Sequence, residues 1–145
     1  MFLKISSLYD SHVHWLGTGQ IESGLKLFHL RSPEDVATLD IKPSYFRQEW
    51  LIGFGWDQNL WPSTTLPTKA ILDRYFPQNP VFFQRGDGHC SWLNSLALQR
   101  LGYDSSHSGI LFEDDHFKAY SSLPTQADEQ LRESLKTATR MFNEA

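Results

Sequence analysis

Apolar and polar positions along the chain predict alternating strands and helices. Residues 25–30 alternate in polarity, which favours a half-buried strand. Residues 50–56 form a continuous apolar run of strand length, and a second buried run begins at Val81. We expect these two runs to form the centre of a sheet. Gly53 and Gly55 inside the first run predict a bulge or a close approach of another backbone.

Helix start and stop signals lie between the predicted strands. Ser32 followed by Pro33 provides an N-cap and a proline in the first turn, so a short helix should follow. Thr68 can cap a second helix, which Pro77 ends because the residue before a proline avoids the helical region. The apolar face of this second helix carries Ile71, Leu72, Tyr75 and Phe76.

Two further helices are predicted in the second half of the chain. Asn94 or Ser95 can cap the first of them, and Gly102 fits its C-terminal stop. The second is the clearest element of the sequence, because Thr125 and Asp128 have the spacing of a capping box. Its apolar stripe, which should run to about residue 143, consists of Leu131, Leu135, Ala138 and Phe142. The stripe predicts that this helix packs on another element.

Composition limits the classes of function. The 145 residues include 5 Trp, 5 Tyr and 10 Phe, which indicates a folded core. A net charge of −4 without a run of Lys or Arg argues against nucleic acid as a partner. No apolar stretch approaches the ~20 residues that span a bilayer, and the first seven residues lack the pattern of a signal peptide. Cys90 is the single cysteine, which excludes an intramolecular disulfide and fits a cytoplasmic protein.

The sharpest candidate for chemistry is Asp10-Ser11-His12-Val13-His14. If this segment is a strand, residues two apart point to the same face. His12 and His14 would then direct two imidazoles to one point, and Asp10 would lie on that face as well. Neutral imidazole is a common ligand of zinc and related metals. The alternative for an isolated His-X-His is a pair of surface or packed histidines.

Several motifs in order resemble one family. Residues 10–19 are similar to the first barrel strand of the amidohydrolase superfamily, and in particular of its YtcJ-like branch, also called amidohydrolase family 3. Residues 53–57 match the Gly-x-Gly-Trp-Asp segment of that branch. Residues 87–98 resemble its Asp-Gly-His and Asn-Ser-x-Ala-Leu signature, and residues 109–114 continue the match. The likeness covers nearly all of residues 10–144.

The resemblance implies a fragment of a (β/α)8-barrel enzyme that hydrolyses carbon–nitrogen bonds of small non-peptide amides. In such an enzyme His12 and His14 would bind a divalent metal, zinc by expectation, which activates water. The remaining ligands would come from later strands that this chain lacks. We therefore expect no turnover by the isolated chain and only weak metal binding.

A closed barrel needs at least ~200 residues, so we expect an α/β fold, or α+β if the sheet is mostly antiparallel. It would comprise the first barrel strand and an inserted subdomain with a mixed sheet and flanking helices. The expected division places the barrel-strand region at residues 1–19, the subdomain at 20–122 and the C-terminal helix at 123–145.

Further candidate residues come from the inserted subdomain. Asp87 and His89 could line the substrate pocket; alternatively, Asp87 opens a tight turn and His89 satisfies buried polar groups. Arg85 is expected to pair with a nearby acid rather than clamp a substrate. Trp56 and Asp57 are also pocket candidates, although Trp56 fits the core and Asp57 could cap the following turn.

The other reactive side chains have ordinary explanations. His29 lies in the strand predicted at residues 25–30, and His107 and His116 lie in polar stretches, so solvated or surface positions are expected for them. Cys90 follows the Asp-Gly-His segment without a readable Cys/His pair, which favours a buried structural thiol over a nucleophile.

Two departures from the family pattern bear on function. The family has Pro-Gly and an apolar residue before the aspartate, where this chain has Ser6-Ser7-Leu8-Tyr9, and the linker between Leu39 and Trp50 is short. They suggest a fragment, a truncated gene product or a decayed gene. The rival function is therefore a non-catalytic binding or interaction module. Because the barrel strand and the terminal helix would lack neighbours, we also expect a homodimer.

Overall fold

The computed structural model describes residues 12–144, which form a six-stranded mixed sheet with helices on both faces. The strands are β1 (Leu25–Lys26), β2 (Phe46–Arg47), β3 (Trp50–Trp56), β4 (Val81–Arg85), β5 (Cys90–Leu93) and β6 (Ile110–Phe112). The α-helices are α1 (Trp15–Ser23), α2 (Lys69–Tyr75), α3 (Ser95–Arg100), α4 (Glu113–Ser121) and α5 (Asp128–Glu144). Short 3-10 helices span Pro33–Thr38, Pro43–Tyr45 and Gln58–Leu60.

The two predicted central strands are adjacent in the sheet. β3 runs parallel to β4 and to β1, while β5 and β6 continue the sheet antiparallel. The short strands β1 and β2 share the other edge of β3: β1 pairs with Gly53 and Phe54, and β2 pairs antiparallel with Trp50 and Leu51. This arrangement is the mixed sheet with flanking helices that the sequence predicts.

Of the two glycines of β3, Gly55 lies in the predicted bulge, whereas Gly53 is closely approached by side chains and not by another backbone. The register between β3 and β4 shifts between Phe54 and Trp56, and Gly55 in the bulge has φ +107°, which a side chain would disfavour. Neighbouring side chains pack closely against Gly53, because a Cβ there would come within 2.9 Å of the side chains of Leu27 and Phe83.

The sheet carries an apolar cluster on each face. The first contains Trp56, Phe83 and Trp92 and is covered by α2 and by the 3-10 helix Pro33–Thr38. The second contains Phe82, Leu93 and Leu111 and is covered by α3 and α4. Alternate residues of β4 therefore serve opposite faces, as expected for a strand buried on both sides.

The predicted helices after residues 68 and 94 are confirmed, with Phe76 at the C-cap of α2 and Asn94 at the N-cap of α3. The helix after Ser32 is a 3-10 helix whose capping box is completed by Asp35. The strand predicted at residues 25–30 is wrong beyond Lys26, because the chain turns there and Leu30 N–H donates to the Leu27 carbonyl. His29 lies exposed in that turn.

The terminal helix differs from its prediction in both its start and its buried face. It begins at Asp128, and the Gln130 side chain accepts the Ala127 N–H, so Thr125 and Asp128 do not form the cap. Of the predicted stripe only Ala138 is buried, next to the buried Ser134, while Leu135 and Phe142 are exposed.

The reason is the identity of the neighbouring element. α5 packs on α1, a helix that the apolar pattern did not predict, and Gly19 of α1 lies against Ser134 and Ala138. The hydroxyls of Ser23 and Ser134 meet at 3.1 Å. Small residues therefore form the closest contact between the two helices, while Leu135 and Phe142 stay exposed. Across residues 12–144, no helix combines the length and apolarity needed to cross a bilayer.

Candidate metal and substrate site

The start of α1 brings the two predicted metal-binding histidines together. The Nε2 atoms of His12 and His14 lie 3.0 Å apart, and the ring centroids are separated by 4.9 Å. His14 is the N-cap residue of α1, and its carbonyl accepts the Thr18 N–H at 2.8 Å, which fixes the backbone that carries the second ring. The structure assigns no strand to residues 12–14, and Asp10 lies outside the described residues.

The distance between the two Nε2 atoms is compatible with both imidazoles binding the same divalent metal. Two nitrogens bound ~2.0 Å from one tetrahedral zinc lie ~3.3 Å apart, close to the 3.0 Å between the two Nε2 atoms. Without a metal, a contact of this length requires one ring to donate its N–H to the lone pair of the other. Within residues 12–144 no group of three or more His, Cys, Asp or Glu side chains is placed to hold a metal, so a metal at His12 and His14 would need further donors.

A second group of predicted residues lies at the turn between β4 and β5. Asp87 Oδ2 accepts from Arg85 Nη2 at 2.6 Å and from Arg85 Nε at 3.0 Å, while Asp87 Oδ1 accepts the His89 N–H at 3.0 Å. The Arg85 guanidinium holds the pKa of Asp87 below its usual value, and Asp87 raises the pKa of Arg85. The ion pair predicted for Arg85 is confirmed, and Asp87 shapes the turn as the alternative interpretation has it.

Glu113, which the sequence did not single out, holds His89 from the end of the neighbouring strand β6. Glu113 Oε2 lies 3.1 Å from His89 Nδ1, and the Glu113 N–H donates to the His89 carbonyl at 3.0 Å. Glu113 has φ +44°, an uncommon conformation for a residue with a side chain. Because Nδ1 faces Glu113, Nε2 is the ring nitrogen of His89 that remains for another partner.

His116 contradicts the surface position expected for it. Its side chain is 1% exposed in α4 and lies among the rings of Phe82, Phe117 and Tyr120. Neither ring nitrogen has a hydrogen-bond partner of good geometry, and burial lowers the pKa of the imidazole. The burial of His116 was not predicted because acidic residues begin α4 and make the stretch look polar. Residues 116, 119 and 123 nevertheless follow the helical spacing of a buried face.

Trp56 and Asp57 occupy the structural positions that the alternative interpretation gives them. Trp56 is fully buried and its Nε1 donates to the Phe83 carbonyl at 2.7 Å. Asp57 caps the 3-10 helix Gln58–Leu60 through the Asn59 N–H at 2.9 Å. Whether either residue also contacts a substrate stays a prediction.

Cys90 behaves as a structural thiol. It is buried in the first apolar cluster, and burial raises its pKa to about 11. A thiol with so high a pKa is almost wholly protonated at neutral pH and is a poor nucleophile.

Comparison with known proteins gives a family and partial relatives. The model of the amidohydrolase family matches residues 7–145. YtcJ of Bacillus subtilis (strain 168) is 37% identical over 95 residues, which are 64% of this chain and 18% of that protein. The protein LONG AFTER FAR-RED 3 of Arabidopsis thaliana is 31% identical over 102 residues, which are 69% of this chain and 17% of that protein.

Two solved structures share the fold. Uncharacterized metal-dependent hydrolases from Pyrococcus horikoshii OT3 and Pyrococcus furiosus superpose with TM-scores of 0.66 and 0.65, at 23% and 22% sequence identity. The matched regions cover 93% and 94% of this chain but 28% and 29% of those chains. The chain thus spans less than a fifth of the curated relatives above and less than a third of these two structures.

Proposed function

The chain belongs to the amidohydrolase family, and from that premise we propose that it supplies the first two metal-binding histidines of a hydrolase acting on carbon–nitrogen bonds of small amides. The observation that carries the proposal is the 3.0 Å approach of His12 Nε2 to His14 Nε2. The metal would be divalent, zinc by expectation, and when bound it would activate water for attack on an amide carbonyl.

His89 and Glu113 suit a role at the substrate. A carboxylate that accepts a hydrogen bond from Nδ1–H fixes the imidazole tautomer and leaves Nε2 with a lone pair. That lone pair can accept a hydrogen bond from the N–H of an amide substrate. Asp87 would act through His89 by holding its backbone N–H. We propose that Trp56 and Asp57 support the backbone near the turn between β4 and β5, since the carbonyl of the buried Trp56 accepts the Gly86 N–H and Asp57 caps the 3-10 helix after β3.

The isolated chain should bind metal weakly and should not turn over amides. A catalytic zinc site normally has three protein ligands and an open position, whereas His12 and His14 provide two. The rival function is a non-catalytic interaction module, for which metal binding would have no role. We expect a cytoplasmic location, because the chain has a single cysteine.

Zinc binding by the chain without an affinity tag separates the two functions. We expect weak binding by calorimetry that is lost in His12→Ala and in His14→Ala and is retained in the control His29→Ala, since His29 lies exposed in a turn. Binding that survives both His12→Ala and His14→Ala would remove the proposed site. Stoichiometric zinc after dialysis against a chelator would contradict weak binding.

A panel of N-formyl and N-acyl amines with added zinc or manganese tests the chemistry. We expect no turnover by the isolated chain. Turnover that persists through purification and disappears in His12→Ala would show that the chain completes its own active site.

A further inference from the structure

A groove on the sheet face that carries α3 and α4 has no assigned role. It has a volume of about 240 Å³ and lies between α4 on one side and the pair α1 and α5 on the other. Ile52 and Phe54 of β3 form an apolar floor, and four glutamine side chains contribute amide groups. The volume is below the ~300–1,000 Å³ of sites for drug-sized molecules, so any ligand is small.

The charge of the groove comes from one residue. Within residues 12–144, Arg47 is the sole charged side chain among those that line the groove, and its guanidinium has neither a hydrogen bond nor an ion pair. The other arginines near the sheet have partners: Arg85 pairs with Asp87, and Arg100 pairs with Glu49 at 2.7 Å. An unpaired guanidinium beside apolar surface presents a fork of N–H donors to an acceptor from outside.

Some of the glutamine side chains that line the groove form hydrogen bonds within the protein. Gln20 Nε2 donates to Gln126 Oε1 at 2.5 Å, and Gln130 Nε2 donates to the carbonyls of Ser44 and Phe46. These bonds tie α1 to the segment before α5, and α5 to residues 44–46, so the walls are held in place. The amide groups are neutral, and therefore they do not compensate the charge of Arg47.

We propose that this groove binds a small organic carboxylate, with the carboxylate on Arg47 and an apolar body over Ile52 and Phe54. A planar carboxylate matches the guanidinium fork in a bidentate pair. A phosphate ester fits less well, because a single cation faces the groove and a dianion would lack a second one. His12 and His14 do not line the groove, so the proposed carboxylate contact does not depend on the proposed metal chemistry.

Titration of the isotope-labelled chain followed by NMR in chelator-containing buffer tests the proposal. We expect benzoate and butyrate to give saturable shifts of the glutamine side-chain amides and of β2 and β3 resonances, in the millimolar range. The neutral analogues benzamide and butyramide, which keep the body and lose the charge, should bind about tenfold more weakly or not at all. This comparison uses the unaltered chain and needs no variant to fold.

Variants locate the contact. Arg47→Gln should abolish the shifts, Arg47→Lys should weaken binding because the bidentate fork is lost, and the control Arg100→Gln should leave binding unchanged. The proposal fails if benzoate and benzamide shift the same resonances equally, if benzoate gives no saturable shift, or if Arg47→Gln binds benzoate as the unaltered chain does. Since all measurements are made without metal, failure here leaves the metal proposal standing, and the reverse also holds.

Discussion

Gly19 of α1 lies so close to Ser134 of α5 that a Cβ on the glycine would be 1.9 Å from the serine carbonyl oxygen. The atom in the way is backbone, which cannot rotate aside as a side chain would. The contact between these two helices therefore requires a residue without a side chain at position 19.

We predict that Gly19→Ala destabilises the chain by about 3 kcal/mol or more, since the helices must separate or shift. Gly17→Ala in the same helix is the matched control. Among residues 12–144, a Cβ at Gly17 meets only the His14 Cβ at 3.7 Å, an ordinary contact, and alanine has the better helix propensity, so stability should rise by up to ~1 kcal/mol. Chemical unfolding measures both. Equal effects of the two variants would contradict the packing of α1 on α5.

The buried side chain of Asn94 is expected to be a second critical point. Its Oδ1 accepts from Val81 N–H and Ala97 N–H, both at 3.0 Å, and its Nδ2 donates to the carbonyls of Phe76 and Asn79. The residue is fully buried. Asn94→Ala would leave these four backbone groups without partners, so we expect a loss of about 3 kcal/mol or more in the free energy of unfolding.

The control for Asn94 is Asn59→Ala, because the exposed Asn59 side chain bonds only to Asp57. It should lose less than ~1 kcal/mol. Asn94→Asp keeps the acceptor and loses the two donor bonds, and it also buries a charge. A variant Asn94→Ala as stable as the unaltered chain would show that water replaces the four bonds.

How far the sequence predicts the structure depends on the range of the interaction. Continuous apolar runs identified β3 and β4 because a strand buried on both faces carries its signal locally. The helix α1 was missed because Gly17 and Gly19 are weak helix formers, and the need for glycine at position 19 follows only from its contact with α5. The stripe assigned to α5 followed hydrophobicity, whereas the observed contact is selected by small size, with Ser134 and Ala138 buried.

The candidate site divides in the same way. The convergence of His12 and His14 was predicted from a strand, in which residues two apart share a face. The two rings do meet, but the structure assigns no strand to residues 12–14. Glu113 could not be found from spacing: it reaches His89 from a strand end 24 residues away and through a positive φ. The burial of His116 was not predicted, because the acidic residues beside it made the stretch look solvent-exposed. Those acids lie on the outer side of α4, whereas His116 lies on the side that faces Phe82.

Acid should reveal the contribution of Asp35 to the 3-10 helix Pro33–Thr38. Its carboxylate accepts the backbone N–H groups of Arg31 at 2.7 Å and of Ser32 at 3.0 Å, and these bonds, with the Ser32 hydroxyl, lower its pKa. A group whose pKa is lower in the folded state stabilises the fold above its unfolded pKa of ~3.9. That stabilisation is lost as the pH falls through the folded value.

We therefore predict that Asp35→Ala lowers stability at pH 7, by less than about 1 kcal/mol because the carboxylate is largely solvated. The difference from the unaltered chain should shrink below about pH 4. Urea unfolding at a series of pH values measures it, with Glu34→Ala as the control acid on the same 3-10 helix. A difference that grows on acidification would have the wrong sign for this mechanism.

Cys90 should report on opening of the core. With a pKa of about 11, roughly 0.1% of the thiol is ionised at pH 8, against about a quarter of an ordinary thiol with a pKa of ~8.5. Alkylation of the folded chain should therefore be at least ~100-fold slower than alkylation of the unfolded chain. Mass spectrometry over time at pH 8 measures both rates. Fast modification of the folded chain would contradict the burial of Cys90 beneath the sheet.

Self-association remains the expectation for the surface formed by α1 and α5. Trp15 stacks on Phe142 at a centroid distance of 4.5 Å, yet both stay exposed, at 38% and 40%. Their neighbours Leu16, Leu135 and Met141 are similarly exposed. Burial of apolar area contributes ~25 cal/mol per Å², so covering these side chains with a second copy could offset the entropy lost on association.

We predict that sedimentation velocity shows a dimer that dissociates on dilution, and that Leu135→Asp shifts the equilibrium toward monomer without lowering the melting temperature. Asn143→Asp is the matched control: it adds the same single charge to the exposed surface of α5 but removes no apolar side chain. It should leave the dimer intact. If the unaltered chain stays monomeric at high concentration, or if both variants dissociate it equally, the apolar surface of α1 and α5 is not the interface. Equal dissociation by both variants would mean that the added charge, and not the loss of the Leu135 side chain, weakens the dimer, because the charge is the only change that the two substitutions share.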